Sequence, residues 1–369
     1  MMADQTRSET RLAALRGAMD AEGVDLLALG PGPHMKWLLG FQPHGDERLL
    51  LLLVTQEGAA FAMPALEADS AGQHTDLPMH GWTDDQGPGA ALDAALAAVG
   101  GQGAAEVALD EAMRADFALA LLGRLPGAAH RFTESTLGRL RMKKDEGERA
   151  ALKASALAAD EAMRRAFAAI RVGMTEAELG QVIKQGFAEQ GASLEFCIVG
   201  AGGNGAFPHH QTGETRIKRG DAIVIDIGAR LGGMPSDITR MAVVGEKPEG
   251  FDEIHAIVDG AVEAAMAAAR PGVPARAVDA AARDYIASKG YGELFLHRTG
   301  HGLGIEVHEP PYLTGAAETV LEEGMVFSIE PGIYQQGRFG LRLEEIVYLT
   351  AEGPVRFSEL PRDAVVVEG

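Results

Sequence analysis

Two acidic strand segments, 104 residues apart, set the tightest limit on what this chain can fold into. GDAIVIDIG (220–228) and GMVFSIEPG (324–332) share one pattern: Gly, five residues, a carboxylate, one residue, Gly. Each is followed by a second acidic position in a return strand, Asp237 eleven residues after Asp226 and Glu344 fourteen after Glu330. A second echo runs beside the first. RVGMTEAELGQVIKQGFAEQG (171–191) and RPGVPARAVDAAARDYIASKG (270–290) align Arg, Gly and the final Gly at an offset of 99, and each reads as a helix break followed by a new helix. Two structural copies related by a pseudo-twofold would bring four carboxylates to one place.

The first hairpin sharpens the point. In DAIVIDIGARLGGMPSDITR (221–240), Asp226 interrupts an apolar arm and Asp237 lies in the return arm. A turn at Leu231 and Gly232 would set the two aspartates directly opposite each other, with Cβ atoms roughly 5 Å apart. Like charges that close repel and raise one pKa. Either the turn is bulged and one aspartate faces water, or a cation lies between them.

The rest of the chain fits a two-part α+β protein. Its 369 residues exceed one compact core of ordinary size. Residues 1–137 read as a small α/β domain, with helix-like SETRLAALRGAMDAEG and the buried-strand candidates VDLLAL (24–29) and RLLLLLV (48–54). The stretch RMKKDEGER (141–149) leads into a long helix to about Ile170, and residues 138–369 hold the repeats. A formal charge of −20 argues against non-specific nucleic-acid binding, which needs a basic face. A single cysteine fits a reducing compartment, and a polar start with no membrane-length apolar run leads us to expect a cytoplasmic protein without membrane contact.

Four converging carboxylates cannot all stay ionised without cations, and two divalent ions would balance them. Oxygen ligands with a histidine favour transition metals over Ca²⁺ or Mg²⁺: Mn²⁺ or Co²⁺ first, with Zn²⁺ a further candidate. The histidine comes from LHRTGHGLGIEVHEPP (296–311), where His297, His301 and His308 cluster among Gly300, Gly302 and Gly304. His209 and His210 lie in AFPHHQTG, just ahead of the first hairpin.

The motifs VIDIGA…SDITR, GHGLGIEVHEPP, SIEPGIY and LRLEE, in this order, resemble those of the pita-bread-fold metallopeptidases, which include methionine aminopeptidase, Xaa-Pro aminopeptidase and prolidase. The resemblance covers roughly 140–369, and the N-terminal part looks like the creatinase-type domain of the proline-specific members. It implies a metal set of Asp226, Asp237, His301, Glu330 and Glu344. Asp226 would mainly hold one ion, His301 and Glu330 the other, with Asp237 and Glu344 bridging. His209 and His308 match two active-site histidines that do not bind metal, His210 has no matching role, and Arg342 matches an arginine lining the pocket. Neighbours on a strand face opposite ways and the family pattern chooses Glu344, so Glu345 should either support the ligands from behind or sit on the other face. The implied reaction is attack of a metal-bridging hydroxide on the Xaa-Pro amide, with Glu330 moving the proton and His308 or His209 stabilising the oxyanion.

Substrate length is less constrained. A dipeptidase must recognise a free carboxylate. Prolidases place an arginine between the second histidine and the SIEPG strand, but here 309–321 contains no Arg or Lys. Arg338, in the short loop between Glu330 and Glu344, and Arg48, reaching in across a homodimer interface, are the expected substitutes. We therefore expect a dipeptidase acting on Xaa-Pro dipeptides or short proline-containing peptides, with an Xaa-Pro aminopeptidase as the alternative. A metal-free creatinase-like hydrolase or a pseudo-peptidase binding module fits less well, since either should have lost acidic ligands.

Overall fold

The computed structural model describes residues 2–368. The chain divides into two compact units after Arg141, within the basic stretch that follows residue 137. The N-terminal unit is built on six strands: β1 (Leu26–Leu29), β2 (Leu51–Val54), β3 (Ala59–Pro64), β4 (Met79–Trp82), β5 (Glu106–Leu109) and β6 (Ala129–Phe132), in the order β4-β3-β2-β1-β5-β6. Every residue of β1, β2 and β3 is buried, which explains why the leucine run shows no alternation. Leu51, Leu53, Ala60 and Ala62 pack with Leu92 and Leu96 of the helix Gly89–Ala98 and with Phe117 and Leu121 of Ala115–Leu122.

The C-terminal unit contains β7 (Ser193–Ala201), β8 (Ala222–Leu231), β9 (Met234–Pro235), β10 (Ile238–Val244), β11 (Gly300–Gly302), β12 (Glu309–Leu313), β13 (Val326–Ile329), β14 (Gly332–Gln335), β15 (Phe339–Arg342), β16 (Glu345–Thr350), β17 (Gly353–Arg356) and β18 (Val365–Val367). One sheet runs β18-β10-β8-β7 with β9 on β8, a second runs β12-β11-β13-β16-β17, and β14 pairs with β15. Helices Glu146–Ala169 and Glu176–Ala188 cover the first sheet through Met163, Ile183 and Phe187, while Phe251–Ala268 and Ala275–Ser288 supply Val258, Val262 and Ile286 to a second core with Phe327 and Val347. The two echoes thus become two copies of a helix pair and an antiparallel strand pair, and Glu176 and Ala275 open the later helix of each pair at the expected offset of 99. Asp145 with Glu148 and Thr175 with Glu178 form capping boxes that start the first two helices.

The first hairpin differs from expectation by one residue. Its turn is Gly232–Gly233, with Leu231 opposite Met234 and Arg230 opposite Pro235. A two-residue turn of this kind needs positive φ at both central positions; the glycines have 59° and 86°, whereas Leu231 would be strained there. The shift pairs Asp226 with Thr239, so the two aspartates are diagonal and not directly opposed. They remain on one face, because Asp237 and Thr239 are two residues apart.

Gly228 lies across the strand pair from Asp237. A Cβ there would come within 2.4 Å of the Ser236 carbonyl oxygen and 2.2 Å of the Phe196 ring. Overpacking of this kind typically costs about 1–3 kcal/mol. We expect Gly228→Ala to lower the urea midpoint by that order and, by displacing Ser236, to weaken retention of divalent ions at the neighbouring aspartates. Unchanged unfolding and unchanged metal content would refute this account of the hairpin.

Candidate metal centre

Strand ends and strand breaks bring the acidic residues together. Asp226 sits within β8, Asp237 immediately before β10, His301 at the centre of β11, Glu330 just past β13 and Glu344 between β15 and β16. Continuing the β13–β16 register by one residue sets Glu330 across from Glu344. All five line one cavity of about 760 Å³, together with His209, His297, Arg298, His308 and Arg342. Asp226, Asp237 and Glu344 have carboxylate oxygens within 4.8 Å of one another, and His301, Glu330 and Glu344 form a second group at the same spacing. Glu344 belongs to both. A third overlapping group joins Asp237, His301 and His308.

The donor set fits divalent cations. Asp226 Oδ1 and Glu344 Oε1 are buried and have no hydrogen-bond partner. His301 supplies an independent sign. Its Nδ1 lies 3.1 Å from the Gly302 carbonyl, which can only accept, so the proton of a neutral ring sits on Nδ1. The Nε2 lone pair then faces Glu330 Oε1 at 3.1 Å and Asp237 Oδ2 at 3.6 Å, acceptor against acceptor. Only a proton or a cation relieves that contact. At an effective dielectric of ~20, two like charges ~5 Å apart repel by about 3 kcal/mol. Were all three carboxylates ionised and unpartnered, their mutual repulsion would be comparable to the stability of a whole domain.

Titration follows from this crowding. Burial, then the charges of Glu344, Asp226 and Glu330, push the Asp237 carboxyl well above its ordinary range. Burial and the charges of Glu330 and Asp226 do the same to Glu344. Burial also raises Glu330, but the contact with His301, with His297 and Arg342 nearby, outweighs it and holds Glu330 at about 2. Burial, with His301 and Arg298 nearby, lowers the His308 imidazole to about 4.

Behind the ligand set lies a polar frame of which the sequence reading named Arg342, Glu345 and His297 but not Thr239, Arg240 or Tyr334. Arg342 donates to Asp226 Oδ2 at 2.5 Å, to the Tyr334 hydroxyl at 2.7 Å and to Thr239 Oγ1 at 3.1 Å. Thr239 Oγ1 in turn donates to Glu344 Oε2 at 2.9 Å. Buried Arg240 donates to the Glu344 carbonyl at 2.5 Å and to Glu345 Oε1 at 3.0 Å, so Glu345 faces away from the cavity into an ion pair. His297 Nε2 lies 2.7 Å from the Tyr334 hydroxyl, and its Nδ1 donates to the Arg298 carbonyl. Thr239 becomes legible once the hairpin register is known; nothing local marks Tyr334 or Arg298.

The expected substrate arginines fare differently. Arg342 lines the cavity and donates to Asp226, Tyr334 and Thr239, so it holds a ligand in place. Arg338 lies in the β14–β15 turn, is not among the cavity residues and donates to the Glu249 carbonyl and Gln335. Arg48 belongs to the N-terminal unit, where Asp46 and Asp84 engage its guanidinium. His209 and His308 both face the cavity, the His308 ring 4.0 Å from that of His301. His210 instead pairs with buried Glu176 at 2.9 Å.

Comparison with known proteins agrees with this geometry. Residues 150–351 match metallopeptidase family M24, and residues 11–143 match the creatinase/prolidase N-terminal domain. The chain is 39% identical over 367 residues to a "probable dipeptidase PepE" of Mycobacterium tuberculosis, covering 97% of this chain and 96% of the relative. It is 31% identical over 349 residues to an Xaa-Pro dipeptidase of Pyrococcus horikoshii, covering 94% and 96%. The crystal structure of dipeptidase PepE from Mycobacterium ulcerans superposes with a TM-score of 0.94 at 36% identity, covering 99% of both chains. The chain is thus a member of metallopeptidase family M24, its pita-bread catalytic domain preceded by a creatinase-type N-terminal domain.

Proposed function

We propose that this enzyme hydrolyses the Xaa-Pro bond of dipeptides with two divalent ions. The reading rests on the two ligand groups that share Glu344, set in one cavity with two histidines free to face substrate. The likeness to an Xaa-Pro dipeptidase along nearly the whole chain supports the substrate. Asp226, Asp237 and Glu344 would hold one ion, and His301, Glu330 and Glu344, with Asp237 alongside, the other. Bound there, the ions supply positive charge, Lewis acidity and acidified water at neutral pH.

The chain's own residues do the remainder. Arg342 and Thr239 fix the Asp226 and Glu344 carboxylates. Glu330, held by the Ser328 hydroxyl at 3.0 Å, would take a proton from water and deliver it to the proline nitrogen. His308 and His209, which line the cavity, would donate to the developing oxyanion. Phe196, Ile198, Pro208 and Val307 give the cavity apolar walls for a proline ring. That ring makes the scissile nitrogen a tertiary amide with no N–H, so recognition has to work by shape.

The direct test is product analysis on Ala-Pro beside Ala-Pro-Ala. Protein reconstituted with Mn²⁺ or Co²⁺ should bind about two ions per chain, cleave Ala-Pro in preference and lose activity on chelation. Full activity without metal would overturn the reading.

Removing each histidine separates their roles. His301→Ala should lose bound metal as well as turnover. His308→Ala should keep its metal and lose on the order of 10²–10³ in kcat, the usual cost of one oxyanion donor. Equal metal loss in both variants, measured by elemental analysis, would place His308 among the ligands.

The raised carboxyls predict a pH trend. In metal-free protein, Asp237 and Glu344 keep protons that the unfolded chain sheds above about pH 4. Their contribution to stability is therefore present below that pH and lost as pH rises toward their folded values. Metal displaces those protons. The rise in Tm on adding Mn²⁺ should be larger at pH 8 than at pH 5, and a shift independent of pH would contradict it.

A further inference from the structure

Two arginines line the catalytic cavity, and only one is committed to the protein. Arg342 spends its donors on Asp226, Tyr334 and Thr239. Arg298 is placed differently. Its backbone carbonyl accepts from His297, but among the described residues its guanidinium has no carboxylate, carbonyl or hydroxyl partner. It stacks over the Tyr312 ring with its central carbon 4.6 Å from the ring centroid. The stacking leaves the in-plane N–H groups unused, and these are the donors that engage a carboxylate in a paired fashion.

Position along the chain fixes where that charge points. Arg298 precedes His301 by three residues and lines the same cavity as His308. Thr299, between Arg298 and the β11 strand, is buried and anchored by Asp279, through its backbone N–H at 3.1 Å and its hydroxyl at 2.8 Å. The backbone carrying the guanidinium is therefore firmly held, while the side chain itself is half-buried. The segment 309–321 has no cation of its own, yet contributes the aromatic face on which Arg298 rests. Apart from Arg342, the other residues lining the cavity are acidic, imidazole or apolar.

We infer that Arg298, steadied by Tyr312, binds the free C-terminal carboxylate of the substrate and thereby sets the preference for dipeptides. Arg338 and Arg48 each have acceptors elsewhere within the chain. This deepens the dipeptidase reading and rests on it. A dipeptide places its carboxylate one residue beyond the scissile bond. A longer peptide puts an uncharged amide there and leaves the guanidinium unpaired.

The test compares Ala-Pro with Ala-Pro-NH₂ in wild type, Arg298→Ala and Arg298→Lys, with metal content and Tm measured for each. Arg298→Ala should raise KM for Ala-Pro by about tenfold or more, the usual weight of a charge-assisted hydrogen bond, while kcat and the kinetics on the amide stay near wild type. Arg298→Lys should recover part of the loss, since it keeps the charge without the fork. Should Arg298→Ala lose its fold, Arg298→Gln carries the same comparison. An equal effect on acid and amide, or none on either, overturns the assignment. A wild-type enzyme that turns over Ala-Pro-Ala better than Ala-Pro overturns the dipeptidase reading itself, before any variant is compared.

Discussion

The structure depends on one unfavourable encounter: carboxylates gathered in the interior with too little positive charge to balance them. Asp226, Asp237, Glu330 and Glu344 meet a single buried guanidinium, that of Arg342. Burying one ion without a partner is costly, and burying several of one sign is worse. Much of the surrounding frame manages this cost. Arg342 neutralises Asp226, Thr239 donates to Glu344, and Arg240 grips the Glu344 backbone while satisfying Glu345 on the opposite face. What the frame leaves undone, two bare carboxylate oxygens and a histidine lone pair aimed at acids, defines the work of divalent ions.

The fold meets that demand by duplication. Each copy brings a helix pair and an antiparallel strand pair, and each strand pair carries an acidic residue on both arms. The copies are not identical in detail. In the first, the acids are diagonal because glycines take the turn; in the second, an inserted hairpin, β14–β15, separates the arms and leaves Glu330 and Glu344 in opposed register. The histidine comes from neither arm but from β11, which pairs with β13 through Gly302 and so sets His301 beside Glu330.

Around the acidic centre the cavity separates chemistry from recognition. Imidazoles stand near the ligands and apolar side chains wall the space a proline ring would take. Arg298 is the exception, a cation held on an aromatic face rather than on a carboxylate. A guanidinium steadied this way stays oriented while keeping its donors for a visitor, which an ion-paired arginine such as Arg48 cannot do.

The sequence by itself determined the two-copy architecture, the five candidate ligands and the two cavity histidines. The repeat and its four acids follow from residue type and spacing, because an acidic residue inside a buried apolar strand has few physical excuses and four of them in a repeated order have fewer; the choice of His301 as ligand and of His209 and His308 as cavity histidines came with the resemblance of the motifs to the family. Alternation along a strand, with the family pattern choosing Glu344, set Glu345 apart from the ligands, and the structure put it on the far face in an ion pair with Arg240. Only the tertiary structure decided the hairpin register, where one residue of turn position moved the partner of Asp226 from Asp237 to Thr239. Only it decided which arginine is available. Arg298, Arg338, Arg342 and Arg48 look alike as charged residues near a motif. Whether a guanidinium is spent or free depends on acceptors far away in the chain: Asp226, 116 residues before Arg342, and the Glu249 carbonyl, 89 before Arg338. Hydrogen-bond satisfaction is a property of packed neighbours, and no local pattern encodes it.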